Sequence, residues 1–408
     1  MKVLVVALCH PPEPLSSAVS TADVAQFMGQ RGHQVQVLCP FPNRPQGQRY
    51  PGFPSAWRHT RDGPGYRITH CWNWLSRRST LLSRSAENLS FGLSSSLEIL
   101  RGPRPDVVYL HTWPLFAQWL NTLVLSWLEV PVLLVVRDLY PESYLAEPRG
   151  MWKGIARLAV ALDRQVYRRC QVVAPITPEM SDHIATTRGV ERPRLWVMPE
   201  WLDGAEFELE RDDFRQQQGW TDRQLVALFV GSFARTSDLQ VYLEAAEHLR
   251  EHPQVQLALV GGGVLEEELR GEIARRQLSN LRLITPLARS DVARVQAAAD
   301  VLMLSLQKGA ARHALPSKLI AYMFSGRPVV AALDRGSPAA LEVERAGCGA
   351  VVAAGDGRAL ARVLLEWSAR PDPLIELGTR ARSRAQQQFS RGTRLAQIAS
   401  HLEALGSR

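Results

Sequence analysis

The strongest constraint on the fold is a regular alternation of short, continuously apolar segments with longer amphipathic ones. A strand that is apolar on both faces must be covered on both faces, as happens in a parallel sheet flanked by helices. Twelve segments fit this description: 2–8, 34–39, 106–110, 132–136, 171–176 and 195–198 in the first half, and 225–230, 255–260, 281–285, 301–304, 328–332 and 349–353 in the second. The sequence therefore predicts an α/β protein with two doubly wound, Rossmann-like parallel-sheet domains facing across a cleft.

The two series of segments also predict the domain limits. A polar, charged stretch from Asp203 to Asp222 separates them and is interpreted as a linker. We expect an N-terminal domain over residues 1–204, a C-terminal domain over 205–390, and a final helix over 391–408 that packs back on the first domain. A chain of 408 residues suits two domains.

The sequence offers no obvious membrane-spanning segment or disulfide framework. The apolar start, Val3 to Leu8, is too short for a secretory signal. Residues 115–136 are interrupted by polar residues and read as a buried helix followed by a buried strand, with a membrane-embedded hairpin as the alternative. Five scattered cysteines without a CxxC pair indicate a reducing compartment and no cysteine-rich zinc site. We expect a cytoplasmic protein.

Positive charge is concentrated in the first half. The stretch from Arg44 to Arg104 contains ten arginines and three acidic residues, and this excess supplies most of the formal net charge of +8. Within this region, Trp72 to Arg84 (WNWLSRRSTLLSR) mixes aromatic, leucine and arginine residues, a pattern that suits peripheral contact with an anionic membrane surface. The alternative is a solvated basic loop. No nucleic-acid-binding motif is present, so we expect no nucleic acid partner.

The most informative chemistry lies in the turn KGAARHALPSK, residues 308–318. Lys308, Arg312 and Lys318 are close in sequence, and Pro316 suits the first position of a helix. The N–H groups of Ser317 and Lys318 would then point out of the positive end of that helix. Cations and amides in this arrangement predict a diphosphate site that needs no metal.

Two further strand-to-helix turns could hold polar ligands. Gly231-Ser232 with Arg235 follows the first strand of the second series, and Gly261 to Gly263 follow the next strand. Each is also compatible with an ordinary βα turn. The pattern GxGxxG is absent after the first strand, which argues against a dinucleotide cofactor.

The motifs LPSKLIAYMFSGRPVVAALD, VGGG and PLARSDVARVQAAADVLML resemble the C-terminal domain of retaining GT-B glycosyltransferases of the family 4 type. The motifs DVVYLHTWPLFAQW, VPVLLVVRDLYPES and RLWVMPEWLD resemble the subgroup that builds O-antigen, capsule and colanic acid repeats, including the L-fucosamine transferase type. This resemblance spans nearly the whole chain. It implies transfer of a hexosyl or N-acetylhexosaminyl group, with retained configuration, from a nucleotide diphosphate sugar to a glycan or lipid-linked acceptor.

The resemblance also implies roles for individual residues. The donor would bind the C-terminal domain, with UDP- or GDP-sugars favoured, and the acceptor would bind the N-terminal domain. No cofactor and no metal are implied. The residues that would contact the diphosphate are Ser232, Arg235, Lys308, Arg312, Ser317 and Lys318. Those that would contact the donor sugar and nucleoside are His313, Gly262, Thr285, Leu287 and Glu342. The acceptor loop would include His10, Ser16, Ser17 and Glu200, and catalysis would involve Asp138, Arg137 and His111.

This chain departs from the family at four places: the Glu-x7-Glu pair, the diglycine of the N-terminal loop (Ser16-Ser17 here), the histidine after the fourth strand (Arg137 here) and the asparagine of the interdomain motif (Glu200 here). Members commonly carry a Glu-x7-Glu pair whose positions here hold His313 and Ala321. Two alternatives stay open beside the transferase. A nucleotide-sugar epimerase would share the two-domain fold, and the missing Glu pair leaves room for a non-catalytic protein that binds sugar nucleotides. Neither the acceptor nor the oligomeric state is evident from the sequence.

Overall fold

A computed structural model describes residues 1–44, 47–77, 80–111, 115–139, 142, 151–209, 214–310 and 315–407, with only the backbone at 81 and 151–153. It contains two compact units. One comprises Met1–Pro199 together with the chain from Thr393 onward, and the other comprises Glu200–Gly392. The chain therefore passes between the units at Pro199 and again at Gly392.

The first unit is built on a sheet of seven strands in the order β3-β4-β2-β1-β5-β6-β7. All neighbouring strands are parallel except the pair β3 and β4, which is antiparallel. The strands are β1 (Lys2–Val6), β2 (Gln34–Pro40), β3 (Arg58–Gly63), β4 (Tyr66–Cys71), β5 (Val107–His111), β6 (Val132–Val136) and β7 (Val172–Pro175).

Helices cover this sheet. They are α1 (Ser16–Gln30), α2 (Leu81–Arg101), α3 (Leu115–Trp127), α4 (Met151–Arg169) and α5 (Pro178–Arg188). Helices α2, α3 and α4 all connect strands in the same direction across the sheet, whereas α1 connects strands in the opposite direction. Because such crossovers are right-handed, α2, α3 and α4 share one face of the sheet and α1 lies on the other.

The second unit contains a fully parallel sheet of six strands in the order β10-β9-β8-β11-β12-β13. Its strands are β8 (Leu225–Ser232), β9 (Val255–Gly262), β10 (Leu281–Ile284), β11 (Val301–Ser305), β12 (Val329–Leu333) and β13 (Gly349–Ala353). Its helices are α6 (Phe214–Gln217), α7 (Gln240–His248), α8 (Glu266–Arg275), α9 (Val292–Ala298), α10 (Ser317–Phe324), α11 (Pro338–Ala346), α12 (Gly357–Ala369) and α13 (Asp372–Phe389). The last helix, α14 (Arg391–Gly406), runs from this unit into the first.

The predicted α/β fold class with two Rossmann-like sheets is confirmed, whereas two local predictions need correction. Residues 195–198 do not form a regular strand, although they run alongside β7: Leu195 and Val173 form an isolated bridge, and the N–H groups of Trp196 and Met198 donate to the carbonyls of Val173 and Pro175. The supposed linker over 203–222 belongs to the core of the second unit, because Phe207, Phe214 and Trp220 are buried there.

The segment over 115–136 forms helix α3 and strand β6, as predicted. Among the described residues, no helix combines the length and apolar character needed to cross a bilayer. All five cysteines are buried and free. Burial raises the pKa of each thiol above its ordinary value.

Candidate functional site

The second unit has a crevice where its strand order reverses, between β8 and β11. These strands pair only as far as Leu228 and Leu302, and beyond that point they diverge. The Tyr322 hydroxyl fills the gap: it donates to the Val230 carbonyl at 3.0 Å and accepts from the Val230 N–H at 2.8 Å. Tyr322 thereby holds helix α10 against the end of β8. Open α/β sheets bind ligands at such reversal points, outside the carboxyl ends of the strands.

Three glycines allow the chain to pack tightly at this edge. Gly231, Gly261 and Gly263 have φ angles of 151° to 152°, which L side chains rarely adopt. A Cβ atom on Gly261 would lie 1.9 Å from the Gly231 carbonyl oxygen, and one on Gly231 would lie 2.5 Å from Cε of Lys318. The glycines therefore bring the backbone turn after β8 into direct contact with the Lys318 side chain.

Lys318 is the most distinctive residue of the crevice. Its Nζ lies 3.7 Å from the centroid of the buried Phe229 ring. Among the described residues, no acidic side chain pairs with it. Desolvation of this half-buried ammonium lowers its pKa from 10.5 to about 7. A positive charge held at a cavity wall without an anionic partner is a favourable place for an anion to bind.

The cavity beside Lys318 has a volume of about 590 Å³. Ser317 and Lys318, the first residues of α10, line it together with Gly231 and Ala321. Pro316 precedes the helix as its N-cap, rather than taking the first helical position, and no side chain caps the helix. The N–H groups of the first turn and the Lys318 ammonium thus converge on one cavity that suits a phosphate.

Other residues predicted to contact the diphosphate lie elsewhere. Ser232, Arg235 and Lys308 are exposed and do not line this cavity. Arg312, like His313 of the predicted sugar contacts, falls outside the described residues. The structure therefore brings Ser317 and Lys318 together, and the roles of the others stay predictions.

The predicted nucleoside contacts are engaged in other interactions. Glu342 is 5% exposed, and both of its carboxylate oxygens accept from Arg384, at 2.7 and 3.1 Å. A ribose would have to compete with this ion pair. The Thr285 hydroxyl donates to Glu266 at 2.8 Å. Leu287 packs against the core of the second unit, and the Gly262 carbonyl accepts from the Phe233 N–H.

The first unit has its own strand reversal, between β1 and β5. The loop after β1 is fixed by polar contacts: His10 Nε2 lies 2.9 Å from the Tyr66 hydroxyl, and Glu13 accepts from the N–H groups of Asn43 and Arg44. Burial lowers the pKa of His10 to about 4, so this imidazole is neutral near pH 7. Ser16 is exposed at the start of α1, and the Ser17 hydroxyl lies 2.9 Å from the Cys9 thiol.

The three predicted catalytic residues lie at the carboxyl ends of β5 and β6. His111 is buried, and burial with the positive charge of Arg137 holds its pKa well below 6.5. The Arg137 guanidinium donates to the Ser20 hydroxyl at 2.6 Å, which ties the end of β6 to α1. Desolvation raises the pKa of Asp138, and the Arg137 charge partly offsets that effect. Glu200, predicted for the acceptor loop, is the first residue of the second unit.

Sequence reasoning missed further residues of the cavity in the second unit. Arg289 and Ser290, just before α9, line it, and so does Glu206 from the short 3-10 helix over 204–207. These residues are far from Lys318 in sequence, and only packing brings them together. The described residues contain no group of three or more histidine, cysteine, aspartate or glutamate side chains able to hold a metal ion.

Comparison with protein families decides the broad assignment. Residues 17–201 match the glycosyl transferase 4-like domain, and residues 210–388 match the glycosyl transferases group 1 domain. The two matches are separated by only eight residues and together cover nearly nine-tenths of the chain. The chain belongs to the GT4-type glycosyltransferases.

Individual relatives of this GT4-type glycosyltransferase are distant but span most of its length. The putative colanic acid biosynthesis glycosyl transferase WcaI of Escherichia coli K12 is 25% identical, over 78% of this chain and 80% of its own. The probable glycosyltransferase WbjE of Pseudomonas aeruginosa is 26% identical, over 81% and 82%.

The fold also matches solved structures. HepE of Anabaena in complex with UDP shares 18% identity and a TM-score of 0.70, covering 99% of this chain and all of HepE. HepE has also been solved with UDP-glucose. These findings do not favour an epimerase or a non-catalytic binding protein.

Proposed function

We propose that this glycosyltransferase transfers a sugar, with retention of anomeric configuration, from a nucleotide diphosphate sugar to a glycan or lipid-linked acceptor. The observation that carries the proposal is the Lys318 ammonium, which pairs with no described acidic side chain, beside the uncapped start of α10. A diphosphate bound there would supply the missing negative charge. Stabilising the diphosphate as it departs is the main electrostatic demand of sugar transfer.

The proposed step is a front-face displacement. The bond between the anomeric carbon and the diphosphate oxygen breaks, and its electron pair stays with the diphosphate. The acceptor hydroxyl oxygen forms the new bond on the same face of the sugar, and its proton passes to a departing phosphate oxygen. Lys318 and the α10 amides hold the growing negative charge, so the step as proposed needs no metal and no cofactor.

The first unit is proposed to bind the acceptor. Asp138 and Arg137 lie at the carboxyl end of β6, where a carboxylate with a raised pKa could orient an acceptor hydroxyl. His111 is buried at the end of β5, and its lowered pKa keeps it neutral; His10, Ser16 and Ser17 belong to the loop after β1 and the start of α1. We assign these residues to acceptor binding and orientation.

The donor and the biological setting are proposed from the relatives. HepE is solved with UDP and UDP-glucose, so a UDP-sugar is the first donor to test, followed by GDP-sugars. WcaI is described as a colanic acid biosynthesis enzyme, which favours a role in cell-surface polysaccharide synthesis. We further propose that the enzyme is of the L-fucosamine transferase type and transfers a hexosyl or N-acetylhexosaminyl group. We also propose that it acts at the cytoplasmic face of a membrane.

The proposal is tested by incubating the protein with UDP-, GDP- and dTDP-sugars and an acceptor extract, with and without EDTA. We expect turnover of one donor, unchanged in EDTA, and a product whose anomeric configuration by NMR equals that of the donor. An inverted product or complete loss of turnover in EDTA would contradict the mechanism.

Calorimetry with Lys318→Ala tests the diphosphate site directly. We expect affinity for the nucleoside diphosphate to fall about 10- to 100-fold, because a charge-assisted contact is lost, while nucleoside affinity changes little. Arg358→Ala, an exposed substitution on α12, is the matched control and should leave both affinities unchanged. Equal losses for nucleoside and nucleoside diphosphate would reject the role of Lys318.

A further inference from the structure

Three helices of the first unit lie side by side and present a common outer surface. The Ser95 and Ser96 hydroxyls of α2 bond to Asn121 of α3 at 3.0 and 2.9 Å. The Trp119 indole N–H of α3 donates to Gln165 of α4 at 2.8 Å. Since α2, α3 and α4 cover the same face of the sheet, the sides that point away from it form one continuous surface. We call this surface the α2–α4 face.

The α2–α4 face exposes large apolar side chains in rows. On α2 the exposed leucines recur at intervals of seven, four and seven residues, which places them along a single line of the helix. Helices α3 and α4 add pairs at four- and three-residue spacing. The exposed residues are Leu82 (85%), Leu89 (46%), Leu93 (55%), Leu100 (47%), Leu123 (44%), Trp127 (74%), Ile155 (44%) and Leu158 (62%). Contiguous apolar surface of this kind marks an interaction site.

The acidic residues of these three helices are all buried. Glu87 is 3% exposed and pairs with Arg44 and Arg84; Glu98 is 7% exposed and pairs with Arg58. Asp163 is 2% exposed and pairs with Arg188. The exposed charges with described side chains on the three helices are therefore cationic: Arg101, Arg157, Arg164 and Arg168. An exposed carboxylate, Glu129, lies in the turn after α3, outside the three helices.

We propose that the α2–α4 face docks on an anionic lipid bilayer surface, with the leucine and tryptophan side chains in the headgroup layer and the arginines on lipid phosphates. Apolar rows without exposed carboxylates match the chemistry of helices that lie in a membrane interface. A second copy of the chain fits less well, because two such faces would bring like charges together. This inference does not depend on the proposed transfer reaction.

The docking surface differs from the one that the sequence suggested. Within 72–84, Trp72 stacks on Trp57 with ring centroids 5.4 Å apart, and Arg84 pairs with the buried Glu87. Arg78 lies outside the described residues. The segment contributes Trp74, 55% exposed, and Leu82 to the edge of the surface, while the helices supply most of it.

Sedimentation with vesicles tests the proposal. The vesicles consist of phosphatidylcholine, with or without phosphatidylglycerol. We expect binding only when the anionic lipid is present. The double variant Leu82→Ser/Leu93→Ser should lower partitioning about tenfold or more, because apolar insertion is lost. Arg157→Glu/Arg168→Glu should also lower it and should weaken its dependence on salt.

Matched variants in the second unit provide the controls. Val264→Ser/Ile375→Ser replaces apolar side chains that are 76% and 80% exposed, and Arg358→Glu/Arg362→Glu reverses two exposed charges on α12. Both should bind vesicles like the original protein. Equal effects of test and control variants, or no vesicle binding at all, would overturn the proposal. The proposal would also be overturned if light scattering showed a dimer that the leucine double variant dissociates, because the α2–α4 face would then bind a second copy of the chain. Nucleotide affinity, measured in parallel, reports separately on the transfer site.

Discussion

At the scale of single residues, Lys318 links the structure most directly to function. Its ammonium faces the Phe229 ring 3.7 Å away and is desolvated, which lowers its pKa to about 7. A cation over an aromatic face gains less than one paired with a phosphate oxygen. Binding of a diphosphate should therefore raise the pKa of Lys318 and draw a proton onto it near neutral pH.

This gives a pH prediction for donor binding. Below about pH 7 the amine is already protonated, and affinity for a nucleotide diphosphate sugar should be flat. Above that value each bound ligand takes up a proton, so affinity should fall by up to about tenfold per pH unit. Calorimetry between about pH 6 and 9 measures the slope. In Lys318→Arg the guanidinium stays charged throughout, so the slope should disappear; a slope that persists in this variant would assign it to another group.

At the scale of secondary-structure elements, Tyr322 holds helix α10 against strand β8 through both polar groups of Val230. Tyr322→Phe would leave a buried N–H and a buried carbonyl unpaired. We expect the free energy of unfolding to fall by roughly 2–4 kcal/mol in urea titrations. Nucleotide affinity should fall as well, because α10 carries Ser317 and Lys318.

Tyr66→Phe is a suitable comparison for that variant. It removes one hydrogen bond, from Tyr66 to His10 in the first unit, and should cost about 1 kcal/mol without changing nucleotide affinity. If the two variants weakened nucleotide binding equally, Tyr322 would have no special role in positioning α10.

The elements differ in how readily the sequence predicts them. The buried strands are evident because coverage on both faces requires a continuous apolar run. The hairpin of β3 and β4 is not evident: β3 reads RHTRDG and lies at the sheet edge, where polar side chains are tolerated. The segment over 203–222 reads as a linker because its buried aromatic residues, Phe207, Phe214 and Trp220, are separated by charged ones.

The residues of the candidate site also differ in how readily the sequence predicts them. Ser317 and Lys318 are predictable because the start of a helix and a cationic side chain stand next to each other in the sequence, shortly after a buried strand. Arg289 and Glu206 reach the cavity from distant segments, so no local pattern points to them. The ion pair between Glu342 and Arg384 likewise joins two helices whose contact the sequence does not encode locally.

At the scale of the whole molecule, the C-terminal helix belongs to the first unit although it follows the second. The His401 ring stacks on Trp196 with centroids 3.7 Å apart, and Glu403 accepts from Arg31 at 2.8 Å and lies 2.9 Å from His33. Leu402 is fully buried. The chain termini are thus fastened to the same unit.

Leu402→Ala should therefore weaken the first unit selectively. Loss of a buried leucine side chain typically costs about 2–5 kcal/mol. Hydrogen exchange followed by mass spectrometry should show faster exchange in residues 1–199 than in the original protein, with residues 200–392 unchanged. Leu364→Ala, an equally buried leucine in the second unit, should produce the reverse pattern. Faster exchange in both units for either variant would show that they unfold together.

The burial of all five cysteines has a practical consequence. Thiolates react and thiols do not, and each native thiol is both shielded and held protonated by its surroundings. A cysteine introduced at an exposed position, such as 127 on α3, would be the preferred target of a maleimide fluorophore without removal of the natural ones. The protein can therefore be labelled at a single chosen position, and a polarity-sensitive dye at position 127 would report the polarity around that part of α3.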